Sequence, residues 1–211
     1  MAERVPTITV LAGTNGAGKS SIGGAALQAA GAPFYNPDVA TRDLIAANPG
    51  MTLEEANGEA WRIGKERLEE AIAQRHSFNF ETTLGGATIA SLLTQAHEAG
   101  LRVRMWYCWL ESVELNIARV QARVGRGGHD IPEAKIRERF DASRANLCKI
   151  LSSLDELMMY DNSAEAAPYS GLSPAPVLLL QYRDGKILQL ASVMPEWAKP
   201  IAAVAIKLSE G

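Results

Sequence analysis

The sequence predicts an α/β fold of three layers, with a mainly parallel sheet between helices and a β-hairpin added near the C-terminal end. Three observations carry this. Short apolar, β-branched runs alternate with longer helical stretches over most of the chain. The first run leads into a glycine-rich loop and then an Ala-rich helical stretch. Late in the chain, Asp184-Gly185 separates Val177–Arg183 from Lys186–Leu190, the spacing of a two-residue turn between strands.

Composition bounds the reading. With 211 residues and 47% apolar content, one domain spanning 1–211 can bury its own core. The 21 basic and 24 acidic residues nearly balance, which argues against a general nucleic-acid or membrane-surface binder. No run approaches the roughly 18 apolar residues of a membrane span. Cys108 and Cys148 lie far apart in no metal-like spacing, as in reduced thiols of a cytoplasmic protein. The opening Met-Ala-Glu-Arg-Val-Pro has no long apolar region behind it, so no signal peptide is expected.

In chain order, Thr7 to Ala12 reads as a buried parallel strand. It runs into Gly13-Thr14-Asn15-Gly16-Ala17-Gly18-Lys19-Ser20, which fits the phosphate-binding pattern G-x-x-x-x-G-K-[ST]. The glycines let the backbone curl so that successive N–H groups face phosphate oxygens. Lys19 reaches the β- and γ-phosphates, Ser20 can enter a Mg²⁺ shell, and Ser21 completes the cofactor-binding set. The helical stretch Lys19 to Ala30 would place the phosphates at a helix N-terminus. Ala32 to Tyr35 reads as strand two, followed by Asn36-Pro37-Asp38. Asp38 either stands at that strand's carboxyl end, where open α/β sheets build their sites, or caps a helix beginning at Val39.

Thr52-x-x-Glu55 is a capping box opening a long helix to about Arg75. Phe78 to Thr83 is the third strand, and a helix over Gly86–Gly100 follows it. Val103 to Leu110 is a near-continuous apolar strand whose Trp106, Tyr107 and Trp109 read as core. Ser112 caps a helix from Val113 to about Val124, and a lid of about 124–131 contains Gly125-Arg126-Gly127-Gly128-His129. Pro132 opens a helix to about Leu151. Met158 to Asp161 is a short strand, 164–174 a loop, and Glu196 to about Leu208 a closing helix, so the added hairpin and helix occupy about 176–208.

Phosphoryl transfer needs a phosphate cradle, a metal, a group to orient or deprotonate the acceptor hydroxyl, and positive charge over the transferring group. Residues 13–20 supply the first two. Asp38 is the candidate proton acceptor. Glu81, with Thr82 and Thr83, either holds the metal's water shell, binds the acceptor, or is a polar strand end. Arg119 and Arg123 share one helix face and Arg126 lies in the adjoining loop, a cationic set that can close over phosphates. Arg139 stands in reserve on the next helix. His129 either touches a phosphate or fixes the loop.

The ordered set resembles the zeta-toxin-like P-loop kinases over roughly residues 6–162. It comprises the phosphate loop, Asn36-Pro37-Asp38, Phe80-Glu81-Thr82-Thr83-Leu84, and Arg119-Val-x-x-Arg123-Val-x-x-Gly127-Gly128-His129-x-Ile131-Pro132. The resemblance implies a kinase fold in which ATP phosphorylates a hydroxyl, and in toxin members that of UDP-N-acetylglucosamine. It implies that Lys19 and Ser20 serve ATP and Mg²⁺, that Asp38 is the base, and that Glu81 and Thr83 contact the acceptor; Asn36 is a further substrate-binding candidate. Lid arginines would stabilise the transferring group, and an antitoxin-like protein partner is implied as well. After Thr83 the chain continues Leu84-Gly85-Gly86, with no arginine to grip a sugar-nucleotide diphosphate. The leading expectation is an ATP-dependent kinase of a small hydroxyl metabolite, with a nucleotide sugar as its first candidate. A nucleoside-monophosphate-type kinase and a non-catalytic nucleotide-binding module are the alternatives.

Overall fold

A computed structural model describes residues 5–19, 22–23, 34–125, 130–165 and 174–211. Ser20, Ser21, Arg126 and His129 lie outside the described residues, as do most of the helix expected over Lys19 to Ala30 and of the 164–174 loop.

The strands are β1 (Thr7–Ala12), β2 (Phe34–Tyr35), β3 (Phe78–Thr82), β4 (Arg102–Trp109), β5 (Glu156–Asp161), β6 (Val177–Arg183) and β7 (Lys186–Leu190). The helices are α1 (Pro37–Ala47), α2 (Leu53–Gln74), α3 (Ala87–Glu98), α4 (Val113–Val124), α5 (Glu133–Ile150) and α6 (Lys199–Glu210). The seven strands form one sheet in the order β2-β3-β1-β4-β5-β6-β7. The first five run parallel, and β6 and β7 add antiparallel pairing at one edge. The closing helix begins later than Glu196, at Lys199, and runs on to Glu210.

Central β1 pairs with β3 on one side and β4 on the other, so the phosphate loop emerges mid-sheet. Its register sets Leu11 beside Glu81 and Ala12 beside Thr82. That register, rather than chain proximity, brings the Glu81-Thr82-Thr83 cluster to the loop. One sheet face, with Ile8, Val10, Met105, Tyr107 and Leu157, packs on Leu93, Ala96, Leu147 and Ile201 in a continuous core. Tyr107 and Trp109 are fully buried there, while Trp106, on the other face, is half-buried. The Trp109 ring lies 4.7 Å from Phe140 and 6.1 Å from Trp197, so the C-terminal segment closes this layer.

Local chemistry sets the element ends. The capping box of α2 forms through Thr52 and Glu55, and α2 stops where Arg75 turns left-handed at φ 51°. Asp184 and Gly185 both have positive φ, 47° and 79°, the requirement of a tight hairpin turn whose twist matches its strands.

Candidate active site

The phosphate loop is shaped at its glycines. Gly13, Gly16 and Gly18 have φ of 140°, 79° and 81°, a region side chains resist. At Gly13 a Cβ would also stand 2.1 Å from the Cys108 carbonyl oxygen of neighbouring β4, so only glycine fits. The loop is tied to β3 by the Gly13 N–H, which donates to the Thr82 carbonyl at 3.2 Å. Cys108 lies beneath it, its thiol donating to the Ala17 carbonyl at 2.8 Å. Burial pushes that thiol up to about 12, against smaller opposing effects of the Lys19 and Arg119 charges, so it is neutral and unreactive.

Lys19 Nζ donates to the carbonyls of Gly13 at 2.9 Å and Thr14 at 3.1 Å and pairs with Glu81 Oε1 at 3.3 Å. Both side chains are sheltered, 7% and 14% exposed. The other Glu81 oxygen accepts from Asn36 Nδ2 at 3.0 Å. Asn36 Oδ1 in turn accepts from the backbone N–H groups of Asp38, at 2.8 Å, and Val39. Asn36, not Asp38, is therefore the N-cap: α1 begins at Pro37, and the Asp38 side chain is left to face the site. The chain Lys19–Glu81–Asn36 fixes Asp38 relative to the phosphate loop.

Lys19, Glu81 and Asp38 line one cavity of about 770 Å³ together with Thr82, Thr83 and Arg139. The α2 side of its lining is mixed, with Leu53 and Trp61, 42% and 49% exposed, beside Glu54, Asn57 and Lys65. The bend after β3 is unusual. Leu84 is buried at φ 55°, its N–H bonded to Thr82 Oγ1 at 3.0 Å and its carbonyl held by Asn146 at 2.9 Å. This bend turns Thr83 and Gly85 into the cavity, and Gly85 leaves room for Arg139, whose Cγ would lie 2.8 Å from an added Cβ.

The arginines divide. Arg139, the reserve candidate, lines the cavity and donates to Asn15 Oδ1 at 3.1 Å. Arg123 stands 3.6 Å from the Asp38 carboxylate in a half-exposed pair. Arg119 points toward the loop after β5, donating to the carbonyls of Ser163 and Ala164 at 3.5 and 3.3 Å, and does not line the cavity. Asn36 is not in the cavity lining either; it acts on the site through Glu81 and the α1 cap. Two residues that sequence reasoning missed grip the loop. Asn116 of α4 donates to Thr14 Oγ1 and the Asn15 carbonyl, and Asn162 donates to the Ala17 carbonyl at 2.9 Å. Asn116 shares a helix face with Arg119, three residues on, the one signal that pointed to it.

A central parallel strand ending in this loop, with acids brought to the carboxyl ends of neighbouring strands, defines a P-loop kinase fold. The zeta toxin family model matches residues 1–171, and the chain belongs to the zeta toxin family. An uncharacterized protein of Haemophilus influenzae is 34% identical over 128 residues, 61% of this chain and 88% of that protein. Among crystal structures, a chain of the AvrRxo1-ORF1:-ORF2 complex with ATP superposes with a TM-score of 0.67 at 19% identity, covering 95% of this chain. The present chain spans 63% of that one. A chain of the PezAT toxin–antitoxin system of Streptococcus pneumoniae superposes at 0.57 and 15% identity, covering 99% of this chain and 87% of that one. These likenesses carry the fold. Among the described residues no helix is long and apolar enough to cross a membrane.

Proposed function

We propose that this chain is an ATP-dependent kinase that phosphorylates a hydroxyl of a small metabolite, with a nucleotide sugar as the acceptor class the family resemblance puts first. The observation that carries the reading is that Lys19 of the phosphate loop, Glu81 and Asp38 line one cavity, together with Trp61 and Leu53 of α2. ATP bound in the AvrRxo1 complex supports the choice of nucleotide. The antitoxin of the PezAT system supports a partner of that kind. A cytoplasmic location is part of the same reading.

The loop N–H groups and Lys19 would bind the β- and γ-phosphates. Asp38 would accept the acceptor's hydroxyl proton as the new O–P bond forms, the bond to ADP breaks and ADP leaves. Glu81, Thr82 and Thr83 would orient the acceptor. Arg139 and the lid arginines Arg119, Arg123 and Arg126 would offset charge on the transferring group. The lining fits Mg²⁺. No group of three or more His, Cys, Asp or Glu gathers among the described residues. This ion needs only one or two protein oxygens beside phosphate and water. Ser20, with Asp38 or Glu81 through water, would hold it, and it neutralises phosphate charge when bound.

The test is ADP release from ATP·Mg²⁺ with and without nucleotide sugars, free sugars and nucleoside monophosphates, alongside Lys19→Ala and Asp38→Ala. Stimulation by a hydroxyl acceptor should vanish with Lys19→Ala and fall on the order of 10²-fold with Asp38→Ala, while Asp38→Ala still binds ATP. Stimulation by a monophosphate alone would overturn the hydroxyl assignment. Acceptor-independent rates across the panel would leave only a binding module.

A further inference from the structure

Side chains hold the carbonyls of Gly13, Thr14, Asn15 and Ala17 in the phosphate loop. Lys19 takes those of Gly13 and Thr14; Cys108 and Asn162 share that of Ala17. The Asn15 carbonyl accepts from Asn116 Nδ2 at 2.7 Å, and the same nitrogen donates to Thr14 Oγ1 at 2.8 Å. Because a peptide unit is planar and trans, fixing the Asn15 carbonyl also fixes the opposite direction of the Gly16 N–H. A loop that binds phosphate through its N–H groups is thus set by whatever holds its carbonyls.

These holds are not equivalent. Lys19 must turn to the phosphates when nucleotide binds, which weakens its hold on Gly13 and Thr14. Asn116 has no such second task. It is fully buried, and its Oδ1 has no partner among the described residues. An unpaired buried amide oxygen is a cost that an apolar residue of the same volume would avoid. Among the described residues that cost falls on a side chain that grips the loop's apex. Approach is close: at Gly16 a Cβ would lie 3.2 Å from the Asn116 carbonyl oxygen and 3.4 Å from Arg119 Cβ. Asn116, Arg119 and Arg123 fall at i, i+3 and i+7 on α4, one face of the helix. Bonding Asn116 to the loop therefore also sets the rotation of the helix that carries the two arginines.

We propose that Asn116 is a positioning residue for the phosphate loop, holding the Thr14–Gly16 segment in its phosphate-binding conformation and fixing α4 against it. The inference rests on the nucleotide-binding reading above. ATP·Mg²⁺ affinity by isothermal titration calorimetry, paired with the melting temperature of nucleotide-free protein, tests it on the full chain. Asn116→Ala, and Asn116→Leu, which keeps the volume without the donors, should each bind ATP roughly tenfold more weakly while folded at the assay temperature. Thr14→Val should weaken binding by a smaller factor. Combined with Asn116→Ala, it should add little, because Asn116→Ala already removes the one bond that Thr14→Val deletes. A purely structural asparagine would lower the melting temperature and leave the affinity of the folded protein unchanged, which overturns the proposal. So would factors that multiply in the double variant. If one Asn116 variant fails to fold, the other decides. Folded wild-type protein that does not bind ATP would sink the nucleotide reading itself, and the anchor with it. Wild-type binding with unchanged Asn116 variants would sink the anchor alone.

Discussion

Replacing Glu81 by glutamine tests whether the nucleotide-free site holds Lys19 back from phosphate. The change removes the charge but keeps an oxygen for Asn36 Nδ2, so the α1 cap and Asp38 should stay in place. At 3.3 Å and an effective dielectric of about 20, the Lys19–Glu81 attraction is about 5 kcal/mol before desolvation. Sheltering both groups offsets much of this, leaving a net worth nearer the about 1.5–3 kcal/mol of a charged hydrogen bond. On the proposed reading this pair must weaken in wild type as Lys19 turns to phosphate. In Glu81→Gln there is less to give up, so ATP without Mg²⁺ should bind about tenfold more tightly. Acceptor-dependent turnover should nonetheless fall about 10²-fold on the proposed reading of Glu81 as an acceptor-side carboxylate. Calorimetry in EDTA isolates the lysine from any metal contribution, and an ADP-release assay reads the turnover. The melting temperature should drop by only a few degrees, because Lys19 keeps its two carbonyl partners. Metal-free ATP binding tenfold weaker in Glu81→Gln would refute the reasoning: the pair would then be organising the site rather than competing for its lysine.

Gly13→Ala should abolish ATP binding and lower the melting temperature by roughly 5 °C or more, since the new Cβ meets the Cys108 carbonyl at 2.1 Å; a wild-type melt would refute it. Trp61→Ala should raise the KM of whichever acceptor proves active about tenfold. It should leave ATP affinity and stability near wild type, because the ring is half-exposed on the cavity wall; an unchanged KM would remove Trp61 from the acceptor site. Stability should fall as pH rises above 9. The Cys108 thiol is raised from 9.0 to about 12 by burial, so above pH 9 the unfolded chain releases its proton first and gains on the folded one. Tyr107, also raised by burial, acts in the same direction at higher pH. Urea midpoints at pH 7, 9 and 10.5 should show the decline, and Cys108→Ala should flatten its first part; equal slopes in the two proteins would refute the assignment.

Much of the fold was legible because its signals are local. The phosphate loop announces its strand and its glycine torsions within eight residues, Thr52-x-x-Glu55 its helix start, and Asp184-Gly185 its hairpin. Asp38 shows where local reading stops. Sequence left it as base or cap, and it is released from capping only because Asn36, two residues earlier, takes both N–H groups. Arg139 looked ordinary because it is one of several arginines among acids on a charged helix, as Arg137-Glu138-Arg139 and Asp141 show; only the packing of α5 brings it to Asn15. Leu84 gave no sign of its left-handed bend, since a leucine reaches φ 55° only when surrounding structure imposes it.

By itself, then, the sequence determined the parts: the elements, the phosphate loop, the acids at strand ends and the basic helix face, all properties of residues within a turn or two of one another. The tertiary structure decided the meetings. Lys19 with Glu81, Asn15 with Arg139 and Thr14 with Asn116 join positions far apart in the chain. They follow from strand order and register, which sheet packing selects over the whole domain and no short stretch encodes.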